Sequence, residues 1–113
     1  MTKVAIHSGA CGFSVAVTAD KGKDKKVHLL IETECEMVRK MAEELSALDM
    51  MSVFARLLDN PVYRSAARHL KHVTCPVPGG ILKAIEAECG FAVPKDVSIT
   101  FVQSERSQRK KEE

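Results

Sequence analysis

The chain has 113 residues, enough for one domain with a core that needs no disulfides, and its 45% hydrophobic and 28% charged content is that of an ordinary globular protein. A formal net charge of +2 and an aromatic share of 4%, with no Trp, argue against a nucleic-acid partner. No stretch approaches the ~18 consecutive apolar residues of a membrane span, and the N-terminus lacks the apolar run of a secretory signal. A cytoplasmic setting is therefore expected, in which four cysteines read as thiols or metal ligands rather than as a disulfide framework.

Taken in chain order, Lys3–His7 reads as a short strand with Val4 and Ile6 on one face. From Phe13 the alternation is clean, with Phe13, Val15, Val17 and Ala19 on one side and Ser14, Ala16 and Thr18 on the other, which predicts a half-buried strand. The polar run from Asp20 to Lys26 contains Gly22 and predicts a hairpin loop. Val27, Leu29 and Ile31 then alternate with His28 and Glu32, so the two strands should pair antiparallel.

Thr33-Glu34-Cys35-Glu36 has capping-box spacing, with Thr33 as N-cap, Cys35 at N2 and Glu36 at N3. Val38, Met41, Ala42 and Leu45 continue at helical spacing to about Ala47. A second helix is expected over Asp49–Leu58. Asn60-Pro61 opens a third, with Asn60 as N-cap, Pro61 at N1 and an apolar stripe of Tyr63, Ala66, Ala67 and Leu70. A fourth carries Ile81, Leu82, Ile85 and Cys89 and stops at Gly90. Val97, Ile99 and Phe101 predict a last strand, and 104–113 a disordered charged tail after a domain spanning 1–103. Strands first and helices after give an α+β fold: a small antiparallel sheet of three N-terminal strands plus one C-terminal strand, with helices packed on one face.

Three cysteines fall at element boundaries: Cys11 before the second strand, Cys35 at the start of the first helix, Cys75 at the mouth of the last. A helix N-terminus carries unpaired N–H groups and about half a positive charge, which favours the thiolate, the form that ligates metal. Cys89 continues the apolar stripe of the last helix and reads as core. There is no CxxC pair. Three thiolates leave a tetrahedral metal one ligand short; His72 is the candidate nearest Cys75, with His7, Glu34 or an external group as alternatives. His69 and His28 read as surface residues, and Met37, Met41, Met50 and Met51 as core filler or an adaptable partner surface. Gly79-Gly80 reads as a flexible opening to the last helix. No Ser/His/Asp arrangement or paired carboxylate speaks for an enzyme.

Cys11-Gly12-Phe13, Glu34-Cys35-Glu36 and Thr74-Cys75-Pro76, in that order and at long separations over residues 4–90, give the chain a resemblance to the NifU/IscU-type iron–sulfur scaffold fold. The resemblance implies a cluster or zinc held by Cys11, Cys35 and Cys75. Phe13 stands where that family has Asp, and Thr74 where it often has His. The third segment is also similar to the Thr-Ser-Cys-Pro-Asp motif of a small cysteine-containing domain, with Val77 in place of the Asp. The expected function is a scaffold or carrier for zinc or an iron–sulfur cluster; the alternatives are a non-catalytic protein-interaction module with structural cysteines, and a thiol redox protein.

Overall fold

The computed structural model describes residues 1–103; the expected disordered tail lies outside the described residues. Four strands, β1 (Thr2–His7), β2 (Ser14–Lys21), β3 (Lys26–Thr33) and β4 (Ala47–Asp49), form one antiparallel sheet in the order β1-β2-β3-β4. Three helices, α1 (Glu36–Glu44), α2 (Pro61–His69) and α3 (Val77–Glu88), complete an α+β fold. The pleat sorts the strand residues into rows. Val4, Val17 and Ile31 stand opposite one another on the inner face, as do Val27 and Leu48. These rows meet Val38, Met41, Val62, Ile81 and Ile85 of the helices in one core. The other face of the sheet is left to Lys3, Ser14, His28 and the exposed Leu30.

The fourth strand is not the one the alternation predicts. Residues 97–101 belong to no strand, and the fourth position is taken by Ala47–Asp49. Helix α1 accordingly ends at Glu44 rather than near Ala47, because Leu45 and Leu48 are buried and the Leu29 N–H donates to the Ser46 carbonyl at 2.9 Å. The helix expected over Asp49–Leu58 is replaced by two 3-10 turns, Ser52–Phe54 and Leu57–Asp59. Asp49 supplies the reason: its carboxylate accepts the Met51 N–H at 2.8 Å and its carbonyl accepts the Ser52 hydroxyl at 3.0 Å, a local alternative to helical bonding.

Asn60 is the N-cap of α2 as expected, its side-chain oxygen accepting the Val62 N–H at 3.0 Å. Its amide nitrogen also donates to the carbonyls of Val53 (2.8 Å) and Ala55 (3.2 Å), so one buried side chain closes the 3-10 turn and starts the helix. Asn60→Ala should cost about 2 kcal/mol, the upper end for a lost cap, because two carbonyls also lose their donor. Urea unfolding checks this; a loss under a few tenths of a kcal/mol would contradict it.

The stripe of α2 is rotated from the expected one: Val62, Ser65 and Ala66 are buried while Ala67 is exposed. Helix α3 ends as expected at Gly90. The Gly90 N–H donates to the Ala87 carbonyl and the Phe91 N–H to that of Glu86, the paired bonds of a Schellman stop. Among the described residues no helix is long and apolar enough to cross a membrane.

Candidate functional site: three thiols at one end of the sheet

His7 pairs with Ser14 where β1 turns into β2, and Val15 pairs with Thr33 where β3 ends. The β1–β2 turn carrying Cys11 and the exit of β3 carrying Cys35 therefore share one end of the sheet. The Thr33 hydroxyl ties them further, donating to the Ser14 carbonyl (2.9 Å) and accepting the Cys35 N–H (3.1 Å). This use of Thr33 corrects the capping-box expectation: Thr33 is the last residue of β3, and Cys35 itself is the N-cap of α1.

Helix α3 brings the third thiol to the same end. Near its start Gly80 lies against Ile6, so close that a Cβ on Gly80 would stand 2.3 Å from Ile6 Cδ1. At its far end the Glu88 carboxylate accepts the Thr2 hydroxyl (2.7 Å) and the Lys21 N–H (3.0 Å). The helix thus runs opposite to β1, and Cys75, just before its first turn, lies toward the end of the sheet that carries Cys11 and Cys35. Gly80 is not a flexible opening but a residue inside α3, its N–H already donated to the Pro76 carbonyl at 3.0 Å, and it lets helix and strand touch.

The three thiols are not equivalent. Cys35 is buried, Cys75 half-buried and Cys11 exposed. Cys11 ends a 3-10 turn, Gly9–Cys11, flanked by glycines in left-handed conformation (φ 78° at Gly9 and 76° at Gly12). Burial pushes the Cys75 thiol above its ordinary pKa; the Val77 N–H, which bonds to it, pulls the other way, and the nearby charges of Cys11 and Cys35 push it further up. The helix start therefore does not leave Cys75 the easy thiolate that its position in the sequence implies, because desolvation outweighs the favourable N–H. It is the strand register and the direction of α3 that set these three residues, 24 and 40 positions apart, at one end of the sheet. Among the described residues no three His, Cys, Asp or Glu side chains form a ready-made metal cage.

The remaining candidates fall elsewhere or stand apart. His72 is exposed, and its carbonyl accepts the Cys75 N–H at 3.2 Å. His7 is exposed on the outer side of β1, its Nδ1 paired with the Ser14 hydroxyl at 3.0 Å. Glu34 pairs with Arg39. Cys89 is half-buried at the opposite end of α3, where burial raises its pKa. Of the methionines read as core, Met41 is fully buried, whereas Met51 is 85% exposed.

One cluster escaped the sequence reading. The Glu44 carboxylate on α1 is bound by Arg68, His69 and Ser65 of α2. The Arg68 guanidinium holds the Glu44 carboxyl down at about 2 despite burial, with help from His69 and Ser65. No local signal links residues more than twenty positions apart, and His69, read as a surface residue, is a helix-to-helix tie. Two shallow grooves flank α2. One, of about 260 Å³, is lined by Leu45, Leu48, Pro61 and Arg64 among others. The second, of about 320 Å³, is lined by Leu57, Leu58, Tyr63, Arg64 and Ala67. Neither reaches the thiols.

What fold and site define is a one-sided antiparallel meander with three helices, carrying three thiols at one end. The chain belongs to the family of unknown function DUF6951, whose model matches residues 2–101. No curated protein and no solved structure matches it.

Proposed function

We propose that the protein is a carrier or scaffold for a thiophilic cargo, zinc or an iron–sulfur cluster, taken by Cys11, Cys35 and Cys75 with His72 as fourth ligand. The observation that carries the reading is topological: the β1–β2 turn with Cys11, the exit of β3 with Cys35 and the start of α3 with Cys75 lie at one end of the sheet. Three thiolates in one place repel, and a soft cation between them removes the repulsion and displaces the thiol protons. The donor set suits zinc or iron, and a set of three thiolates with an exposed imidazole suits a cargo that must also leave. Zinc–sulfur bonds of about 2.3 Å require the three sulfurs to come within roughly 4 Å of one another. Cys11, exposed in a turn whose Gly9 and Gly12 are in left-handed conformation, is the ligand most open to an incoming cargo. Similarity to the NifU/IscU-type scaffolds, resting on the three cysteine segments, supports the same reading.

Anaerobic purification followed by assay of zinc, iron and sulfide tests it. The expected result is near one equivalent of zinc, or one cluster, per chain. Cys35→Ala should lower affinity by more than the ~10–100-fold lost with a hydrogen-bond partner of a ligand. Trace metal that is the same in Cys35→Ala would sink the proposal.

A second reading, a protein-interaction module with structural cysteines, is favoured by the apolar surface of Met51, Leu57 and Leu58, exposed by 85%, 66% and 90%. It predicts full stability and no bound metal.

A further inference from the structure

Strand β1 is an edge. Among the described residues it pairs with β2 on one side only, and the outward half of its backbone N–H and C=O groups has no strand partner. Six residues long and without proline or bulge, it lacks the usual devices that blunt an edge, Lys3 excepted. The opposite edge, β4, is only three residues long.

The same chain carries a complement. Val97, Ile99 and Phe101 alternate with Ser98 and Thr100, a strand pattern rich in β-branched residues. The family match runs through residue 101, so this segment is part of the family's domain. Yet it lies in no strand, with Val97, Ile99 and Phe101 exposed by 64%, 89% and 102%. The chain before it is fastened: Phe91 packs against Phe54 with ring centroids 4.7 Å apart. Among the described residues, a segment with a strand's pattern and an edge strand both stand without a strand partner.

We propose that two copies of this chain associate by exchanging these segments, residues 97–101 of each adding to the β1 edge of the other. Two-fold symmetry satisfies both edges and both segments at once, whereas addition in one direction would leave an open edge and propagate. Seated there, Ile99 and Phe101 extend the inner face of the sheet beside Val4 and Ile6, the row already packed on the core. At roughly 60–120 Å² for each buried Val, Ile or Phe, the exchanged side chains and the surface they cover come to about 1,000 Å² or more, at the lower end of stable interfaces.

Sedimentation of the full chain under reducing conditions, from low micromolar to submillimolar concentration, tests the proposal. The wild type should be a dimer. Ile99→Asp/Phe101→Asp should weaken association by roughly a hundredfold or more, as loss of two buried anchors does. Both positions are exposed within a single chain, so the variant should keep its thermal transition and helical far-UV signal and lose only the signal of the exchanged strand. Hydrogen exchange on the wild type gives a second readout: β1 amides should gain protection as concentration rises. A monomer at every concentration overturns the proposal. So does a dimer that survives the double substitution, or concentration-independent protection of β1 from its own chain's segment.

Discussion

Gly80→Val is expected to destabilise the fold by about 2–3 kcal/mol, and Ile6→Ala to recover a large part of that loss. The added Cβ would stand 2.3 Å from Ile6 Cδ1 and 2.7 Å from Ile6 Cγ1, distances at which one side must move. Ile6 is 7% exposed, and Ile81 and Ile85 on the same helix are fully buried, so there is little free space to move into. Overpacking of a filled core costs about 1–3 kcal/mol, and valine's two further methyl groups push toward the upper end. Better helix propensity than glycine returns only a few tenths of a kcal/mol. Ile6→Ala alone should cost about 2–5 kcal/mol, the range for truncating a buried aliphatic side chain. Together the two changes move three carbons across one contact and keep the volume. The double variant should therefore be more stable than the sum of the singles by about 1–3 kcal/mol, as expected for touching residues. Urea unfolding of the four proteins measures this coupling, and strict additivity would rule it out. If the protein is the carrier proposed above, zinc uptake should follow the same cycle, because the contact positions the start of α3 and with it Cys75.

That contact also shows where sequence reading stops. Alternation made β1, β2 and β3 legible, since a one-sided sheet stamps its pleat on the chain, and Asn60-Pro61 and Gly90 marked helix ends through purely local chemistry. What failed was non-local. β4 is three residues long, too short to alternate, and exists because Leu48 finds Val27. The C-terminal run has the stronger strand pattern but pairs with nothing among the described residues. Ser65 is buried because Glu44, 21 positions away, accepts its hydroxyl, and this turned the stripe of α2 away from Tyr63 and Ala67. The cysteine segments were legible for the opposite reason. Their places at element ends are local features, and a meander with one returning helix brings such ends together. Nothing local could show that Cys75 is desolvated enough to lose the benefit of the helix start.

Acid should loosen this protein in a defined window, because two of its tertiary ties are carboxylates. The Arg68 guanidinium, with His69 and Ser65, holds Glu44 at about 2. The Lys21 N–H and the Thr2 hydroxyl, joined by the N-terminal amino group, hold Glu88 at about 2. Both lie below the ordinary value of 4.5, so between those limits the unfolded chain binds protons that the folded chain refuses. The stabilisation is fully present above about pH 4.5 and is lost as pH falls toward 2, with a slope approaching two protons per pH unit if both groups keep their partners. Glu88→Gln removes one of them and should reduce that slope by about one proton while leaving the Glu44 tie intact. Salt should trim the Glu44 share first, because its ion pair with Arg68 is half open to water, whereas the Glu88 side chain is only 11% exposed and takes backbone and hydroxyl donors. Each tie secures something different. Glu44 fastens α1 to α2, and Glu88 pins the end of α3 to the start of β1 and the end of β2, fixing the direction in which the helix returns to the thiols. Urea midpoints across pH 2 to 7 test the argument, and a wild-type profile without a decline below pH 4.5 would mean that these carboxylates titrate alike in both states.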